Sequence, residues 1–194
     1  MENEEEKSKI QIIGFTTNEK SYSPNDIISK YLDNYSHFII KKNKQLIAFS
    51  TVLPEHKKST KIMLITLLDL NIEYEGINEV NCYLIIVDLQ KEPSKEKFAE
   101  IVAYAKVYCD QSKKIYILGV KKDEEENKVK ITEEEINQKM QELHNIDYEF
   151  YELNLDNGLE VSEKILEIFK YCFHNSISDN LFNNDQEGKS CSIY

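Results

Sequence analysis

Several features that define whole classes of protein are missing from this chain. No run of apolar residues is long enough to span a bilayer, and the start MENEEEKSK lacks the apolar stretch of a signal peptide. With only five glycines and three prolines, the chain has no stretch typical of a linker. Aspartate and glutamate outnumber lysine and arginine, and the net charge of −11 disfavours binding to nucleic acid or an anionic membrane. We therefore expect a cytoplasmic protein that neither binds nucleic acid nor inserts into a membrane.

Signatures of common metal and catalytic sites are missing as well. The histidines, His37, His56, His144 and His174, lie far apart and lack metal-ligand spacing. No CxxC pair occurs among the four cysteines, which we interpret as reduced thiols of a cytosolic protein. No G-x-S-x-G or Cys/His signature indicates a nucleophile. These patterns predict neither a metal site nor a catalytic residue.

The chain does contain an alternation of strands and helices. Short apolar runs predict strands at 9–15, 61–70, 82–89, 113–120 and 148–155. Apolar residues at helical spacing, together with capping signals, predict a helix that begins at Ser23–Pro24 and others at 94–109, 132–144 and 159–173. Such an alternation predicts right-handed βαβ crossovers and a mostly parallel sheet.

One part of the chain departs from this alternation. The stretch HFIIKKNKQLIAFSTVL predicts extended chain that turns at Asn43, and no helix fits between 46–53 and 61–69. Those two segments are therefore predicted to form an antiparallel hairpin. Together the elements predict a three-layer α/β domain over 9–173, with about six strands, mostly parallel, and one antiparallel edge strand. A charged N-terminal tail (1–8) and a polar C-terminal tail (174–194) flank it.

Two aspartates end apolar strands at the carboxyl edge of the predicted sheet. They are Asp69, in LLDL, and Asp88, in YLIIVDL. Ligands of open α/β sheets bind at this edge. We interpret both carboxylates as caps of helix or loop N–H groups rather than as ligand contacts.

The turn after the first strand is similar to a phosphate-binding loop. GFTTNEKS, residues 14–21, fits G-x-x-x-x-G-K-[ST] in all but one position. Gly14 takes the place of the first glycine, and Lys20 and Ser21 take the places of the phosphate lysine and the magnesium hydroxyl. Glu19 stands where the second glycine belongs. The alternative interpretation is an ordinary strand-to-helix turn.

The order of motifs resembles that of the small GTPases of the Ras and Rab superfamily. YLIIVDL resembles the fourth strand of that family, and LGVKKD (118–123) resembles the guanine-recognition segment that ends in N-K-x-D. Lys121 and Asp123 match that segment, whereas Val120 replaces its asparagine. In YELNLDNG, Glu152 matches the glutamate of the family's E-T-S-A-K motif. The resemblance covers 9–173 and implies the P-loop-NTPase fold.

The departures from this family fall where nucleotide chemistry would occur. The Glu19 carboxylate would repel a phosphate at about 4 Å by roughly 1–4 kcal/mol per unit charge. Ser23 and Pro24 begin the helix after Lys20 and Ser21, which leaves those two residues in the loop. No threonine lies between Asn18 and Ser50 to serve the first switch, and no D-x-x-G or glutamine follows the LLDL strand. The chain is therefore predicted to be a pseudo-GTPase that needs no cofactor.

Within the superfamily, the chain resembles the Rab-like domain of the alpha- and gamma-adaptin-binding protein family. The polar hairpin, the lost switches and YEFYEL before the last helix carry this resemblance. It implies binding to protein partners in adaptor assembly and vesicle trafficking. Two alternatives stay open. One is a structural subunit of a large complex, and the other is a divergent Rab-type GTPase that binds GTP or GDP with Mg²⁺. The nucleotide-binding residues of that GTPase would be Gly14, Lys20, Ser21, Lys121 and Asp123.

The last four residues, CSIY, place Cys191 where a prenylation signal requires its cysteine. Ser192 is not aliphatic, Tyr194 is an unusual final residue, and the preceding NNDQEGKS is not basic. We expect the mature chain to keep its last three residues and Cys191 to carry no lipid.

Overall fold

The computed structural model describes residues 9–18, 22–35, 37–42, 45–53, 59–67, 70, 80–122, 129–143 and 146–187, and of 176–187 the backbone alone. Along these residues the predicted alternation of strands and helices is confirmed. In chain order the elements are β1 (Lys9–Thr16), α1 (Pro24–Asn34), β2 (His37–Lys42), β3 (Leu46–Val52), β4 (Ser59–Thr66), β5 (Cys82–Asp88), α2 (Pro93–Tyr108), β6 (Lys114–Lys121), α3 (Glu133–Met140), β7 (Tyr148–Asn154) and α4 (Gly158–Glu187).

The described strands form one sheet of seven, in the order β2-β3-β4-β1-β5-β6-β7. β4, β1, β5, β6 and β7 run parallel, and β3 runs antiparallel to both of its neighbours. The predicted hairpin of 46–53 with 61–69 is confirmed as the β3–β4 pair. The prediction of six strands with an antiparallel strand at the edge was wrong. The stretch predicted as extended chain forms two strands, and β2 pairs with the outer side of β3 and takes the edge. The predicted turn at Asn43 lies outside the described residues.

Helices cover both faces of the sheet, and the domain has three layers. Ile12 and Ile13 are adjacent in β1 and are both fully buried, yet they belong to separate apolar clusters. The cluster that contains Ile12 includes residues of α1 and α4, and the cluster that contains Ile13 includes residues of α2 and α3. A strand that is buried on both faces has a continuous apolar sequence instead of an alternating one. This is why β5 has the sequence CYLIIVD. The predicted three-layer α/β class is confirmed.

Helix starts follow the capping signals of the sequence. Ser23 caps α1, Pro24 is its first residue, and the Asp26 side chain completes a capping box. The predicted capping box of Thr132 and Glu135 is confirmed at the start of α3. α4 extends to Glu187, beyond the end that its apolar spacing predicted. None of the described helices is both long enough and apolar enough to cross a membrane.

Candidate functional site

Of the predicted nucleotide-binding residues, the structure describes Gly14 and Lys121. Gly14 belongs to β1, and Lys121 ends β6. β5 lies between these two strands, and Lys121 lies five residues further along β6 than Tyr116, the residue level with Gly14. The remaining predicted site residues lie outside the described part of the chain: Glu19, Lys20, Ser21, Asp69, Asp123 and Cys191.

Gly14 lies inside β1, paired with Thr66 of β4 and Leu84 of β5, rather than in the turn that follows. Its φ lies outside the left-handed region. A Cβ at this position would lie 2.7 Å from Pro24 Cγ and 2.8 Å from Pro24 Cβ. The glycine is therefore required because the first residue of α1 packs directly against the β1 backbone.

The described residues of the loop between β1 and α1 are hydrogen-bonded to one another and to β5. The Thr16 hydroxyl donates to the Tyr22 carbonyl at 2.5 Å and accepts from the Asn18 N–H at 3.1 Å. The Tyr22 N–H donates to the Asn18 carbonyl at 3.0 Å. The Thr17 N–H donates to the Ile86 carbonyl of β5, also at 3.0 Å. In the described part of this loop, the N–H groups of Thr17, Asn18 and Tyr22 already have partners.

Asp88, at the end of β5, joins this loop to the next one. Its side chain is buried, and the residue is only 1% exposed. One carboxylate oxygen accepts from the Asn18 side-chain amide at 2.9 Å, and the other accepts from the Gln90 N–H at 3.1 Å. The Asp88 N–H donates to the Thr17 hydroxyl at 3.0 Å. The interpretation of Asp88 as a cap of loop N–H groups is confirmed.

The N-terminus of α1, which a phosphate site would use, already carries a carboxylate. Asp26 Oδ2 accepts from the Ser23 N–H and from the Ser23 hydroxyl, both at 2.8 Å. The Asp26 N–H donates back to the Ser23 hydroxyl at 3.3 Å. A helix N-terminus favours an anion because its first N–H groups are unpaired and its dipole is positive. Here a side chain of the helix itself takes that role.

Two further hydrogen bonds connect the loop after β5 to the end of β6. Gln90 Nε2 donates to the Lys122 carbonyl at 2.9 Å, and the Lys122 N–H donates to Gln90 Oε1 at 3.1 Å. The Lys122 ammonium lies 5.8 Å from the ring centre of Tyr22, in the loop before α1. The carboxyl edge of the sheet is therefore joined across β1, β5 and β6 by contacts of the chain with itself.

The described residues that resemble the base-recognition motifs pair with each other. Lys121 Nζ lies 2.7 Å from Glu152 Oε1 of β7. Val120, which replaces the family's asparagine, is fully buried. Because valine offers no side-chain hydrogen bond, it cannot read a base. Lys121 and Glu152 thus form an ion pair between adjacent strands.

The described cysteines are buried thiols. Cys82 of β5 and Cys172 of α4 are free, with their sulfur atoms 3.2 Å apart. Burial, reinforced by the neighbouring Cys172 thiol, raises the pKa of Cys82 well above its usual range. Burial raises the pKa of Cys109 to about 12. A reactive cysteine needs a lowered pKa and access to solvent, so neither thiol is suited to nucleophilic chemistry.

No group of histidine, cysteine, aspartate or glutamate side chains that could hold a metal ion occurs within the described ranges. The His37 ring contacts the Tyr35 carbonyl, with Nδ1 3.0 Å from the oxygen. His174 packs edge-on against Phe173. His56 and His144 lie outside the described residues.

Sequence reasoning missed the residues that organise this edge. They are Thr16, Thr17, Asn18, Tyr22 and Gln90. One signal was present, because T-T-N follows a fully buried strand at the edge where parallel strands end. Their partners could not be inferred, since Asn18 and Asp88 are 70 residues apart in the sequence.

No protein-family model matches this chain, and no curated protein matches it. Its class therefore rests on the fold and on the edge just described. The molecule is a three-layer α/β domain whose carboxyl edge, as far as it is described, is closed by hydrogen bonds between its own loops.

Proposed function

We propose that this protein is a cytoplasmic pseudo-GTPase: it has the P-loop-NTPase arrangement of the small GTPases, binds no nucleotide, and acts by binding other proteins. The observation that carries this proposal is the internal pairing of the loop after β1. Within the class, the resemblance to the Rab-like domain of the alpha- and gamma-adaptin-binding protein family favours a role in adaptor assembly or vesicle trafficking.

The order of elements supports the GTPase-like part of the proposal. A strand and a loop lead to α1, an antiparallel segment follows, and three strand-and-helix steps complete the chain. This is the order from which the family resemblance was drawn. β2 is an addition to it, since it extends the antiparallel segment outward by one strand.

The loop geometry supports the absence of a nucleotide. A phosphate loop works because consecutive N–H groups point at the phosphates. Before the Thr17 and Asn18 N–H groups could donate to a phosphate, the chain would have to break their present hydrogen bonds. Each broken bond costs a free energy of about 0.5–1.5 kcal/mol. Breaking them would also disturb the buried Asp88 carboxylate, which depends on Asn18.

Electrostatics act in the same direction. Asp26 holds a negative charge on the first turn of α1. A phosphate within about 4 Å of that carboxylate would be repelled by roughly 1–4 kcal/mol per unit charge. With Glu19 in the same loop, two carboxylates oppose an anion that Lys20 would attract.

A titration tests the proposal. The purified chain is titrated with fluorescent GTP and, separately, fluorescent GDP, in millimolar magnesium. We expect no saturable binding up to about 100 μM nucleotide, which corresponds to a binding free energy weaker than about −5.5 kcal/mol.

Two variants make the titration specific. Lys20→Ala removes the lysine of the phosphate-loop motif. The control, Lys113→Ala, changes a lysine just before β6, at the amino ends of the parallel strands. Micromolar affinity that disappears in Lys20→Ala and survives in Lys113→Ala would establish a working phosphate loop, and the divergent Rab-type GTPase would then replace our proposal.

A further inference from the structure

The edge strand β2 exposes an apolar patch. All six of its residues are exposed, with Phe38 at 72%, Ile39 at 45% and Ile40 at 48%. Val52 of the neighbouring strand β3 is 56% exposed. Among the described strands, β2 has a hydrogen-bonded neighbour on one side only. Its other side presents N–H and C=O groups that a further strand could pair with.

Lysines flank this patch on one face of the sheet. Phe38 lies opposite Ser50, and Ser50 lies opposite Lys61. Lys41 lies opposite Ala48, two residues before Ser50. Directly opposite residues of antiparallel strands share a face, and so do residues two apart in one strand. Phe38, Lys41 and Lys61 therefore share a face, and neither lysine forms an ion pair with a carboxylate of the described residues.

The charge of the chain is unevenly distributed around this edge. Residues 37–66, from β2 to β4, contain six lysines and one glutamate, a formal charge of +5. Because the whole chain carries −11, the rest carries −16. The lysines are Lys41, Lys42, Lys44, Lys57, Lys58 and Lys61. A basic segment in an otherwise acidic protein selects acidic partners and disfavours basic ones.

We propose that the β2 edge binds an extended, acidic segment of a partner protein as an eighth strand. The inference rests on the proposed function, since a chain that acts without a nucleotide recognises its partners through its surface. Backbone hydrogen bonds to β2 would supply affinity, and alternate side chains would supply specificity. Apolar side chains of the segment would pack beside Phe38 of β2, and its carboxylates would lie beside Lys41 of the same strand.

A second copy of the chain suits this edge less well than an acidic segment. Two copies joined through β2 would place two segments of charge +5 against each other. Lysines on an edge strand disfavour edge-to-edge pairing of identical sheets, because their like charges repel. The same lysines that oppose self-association attract a partner of opposite charge.

Residues 1–8 are acidic but too short to occupy the edge in the same molecule. They contain four glutamates and lead into β1. The free side of β2 lies four strand positions from β1, across β4, β3 and β2 itself, or about 19 Å. Eight extended residues span at most about 26–29 Å, so no more than about three would remain to pair with β2.

Model peptides test the proposal with the full chain. The probe is a fluorescein-labelled octapeptide of the repeat Glu-Glu-Val-Val, which presents both residue types on each face of a strand, and a Lys-Lys-Val-Val octapeptide is the charge control. Fluorescence anisotropy is measured at two salt concentrations. We expect binding of the glutamate peptide alone, weakened by salt because the attraction between exposed charges is screened.

Surface variants locate the site. Phe38→Ser and Lys41→Glu should each weaken binding of the glutamate peptide by about tenfold or more, as central interface residues do. The matched controls are on α2, where Val107 is 70% exposed and Lys106 is exposed. Val107→Ser and Lys106→Glu should change the affinity less than about twofold. All four positions are exposed, so we expect unchanged thermal midpoints.

Backbone methylation distinguishes strand pairing from simple charge attraction. In an added strand only alternate N–H groups face β2. One peptide methylated on the odd-numbered nitrogens and one methylated on the even-numbered nitrogens should therefore differ, with binding lost in one and kept in the other. Equal binding of the two would overturn the proposal, as would an affinity that Phe38→Ser leaves unchanged.

Two further results would identify a different occupant and overturn the proposal. Dimers of the free chain that Lys41→Glu strengthens would assign the edge to a second copy. An affinity raised about tenfold by replacing Glu4, Glu5 and Glu6 with glutamine would assign it to residues 1–8. The readout is independent of nucleotide, so GTP binding together with peptide binding would reject the proposed function and leave the β2 site standing.

Discussion

The substitution Gly14→Ala tests whether this glycine serves the packing of α1 or the phosphate-binding role that the motif suggests. A Cβ at position 14 would lie 2.7 and 2.8 Å from the Pro24 ring and 3.2 Å from Leu64 Cδ1. Carbon atoms at optimal contact are about 3.5–4.0 Å apart, and the ring of a helix-starting proline cannot rotate away. The methyl group therefore displaces the start of α1 from β1.

The expected cost is that of overpacking a core, about 1–3 kcal/mol. For a chain of this size each kcal/mol lowers the Tm by about 2–4 °C, so Gly14→Ala should lower it by about 2–12 °C. Urea unfolding followed by circular dichroism gives the free energy directly. Gly158→Ala is the matched control, because a Cβ there meets nothing within 4 Å and Gly158 opens a helix. We expect it to be neutral or to stabilise the protein by up to about 1 kcal/mol.

A double-mutant cycle with Pro24→Ala assigns the cost to the contact. If the Pro24 ring causes it, part of the loss should be recovered in the double variant, with a coupling energy of about 0.5–3 kcal/mol. Additivity with Pro24→Ala would assign the cost to the Cβ of residue 24, which alanine keeps, or to Leu64, whereas full stability of Gly14→Ala would refute the packing explanation. In that case a glycine at position 14 would have to be explained by close approach of a ligand.

Three further predictions follow from buried polar and titratable groups. Asp88→Ala should lower the free energy of unfolding in urea by about 1–3 kcal/mol, because the donors of Asn18 and Gln90 lose their acceptor. The control Asp33→Ala changes an exposed residue and should alter stability by less than about 0.5 kcal/mol. Equal effects of the two variants would contradict the role of Asp88. Burial raises the pKa of Cys109 to about 12 and also raises that of Tyr83, above the unfolded values of about 8.5 and 10. Well below about pH 8.5 both groups are protonated in either state, so their contribution to stability should be constant there and should fall as pH rises from about 9 towards 12; an undiminished urea midpoint at pH 11 would show that these groups are not held protonated by the fold. Cys82, Cys109 and Cys172 should resist iodoacetamide in the native protein and react after denaturation, as peptide mass spectrometry would reveal, and rapid native labelling would contradict their burial.

The sequence predicts the elements that are buried on both faces or that carry explicit caps. β1 and β5 are continuous apolar runs because helices cover both sides of them, and Ser23, Pro24 and Thr132 mark helix starts through local hydrogen bonds. The segment that forms β2 was predicted as extended chain but was not counted as a strand of the sheet, for the opposite reason. HFIIKK buries neither face, so its apolar residues follow no strand pattern that a core would impose.

The end of α4 and the role of Gly14 lie beyond sequence reasoning for two different reasons. Apolar spacing reports where a helix packs against the core, and α4 continues to Glu187 after that spacing ends at Phe173. Gly14 stands at a motif position, so its sequence context favours phosphate binding. Its actual constraint is the distance to Pro24, which depends on the angle at which α1 returns over the sheet.

The loop network could be anticipated in kind but not in its pairings. Parallel strands bring the residues after β1, β5 and β6 to one edge, so polar residues there are expected to meet. Which of them meet is decided by tertiary geometry. Thr17 reaches Asp88 and Gln90 reaches Lys122 across contacts that no local pattern encodes.

The central claim is that the protein carries no nucleotide, and its most direct test is the nucleotide content of the native protein. The chain, purified from cells in magnesium-containing buffer without nucleotide, is denatured, and the released small molecules are quantified by mass spectrometry. An active small GTPase processed in parallel provides the positive control. We predict less than about 0.05 mol of GTP plus GDP per mol of chain, because the Thr17 and Asn18 N–H groups are already paired and Asp26 occupies the helix N-terminus. Close to one mole of guanine nucleotide per mole of chain would contradict the account.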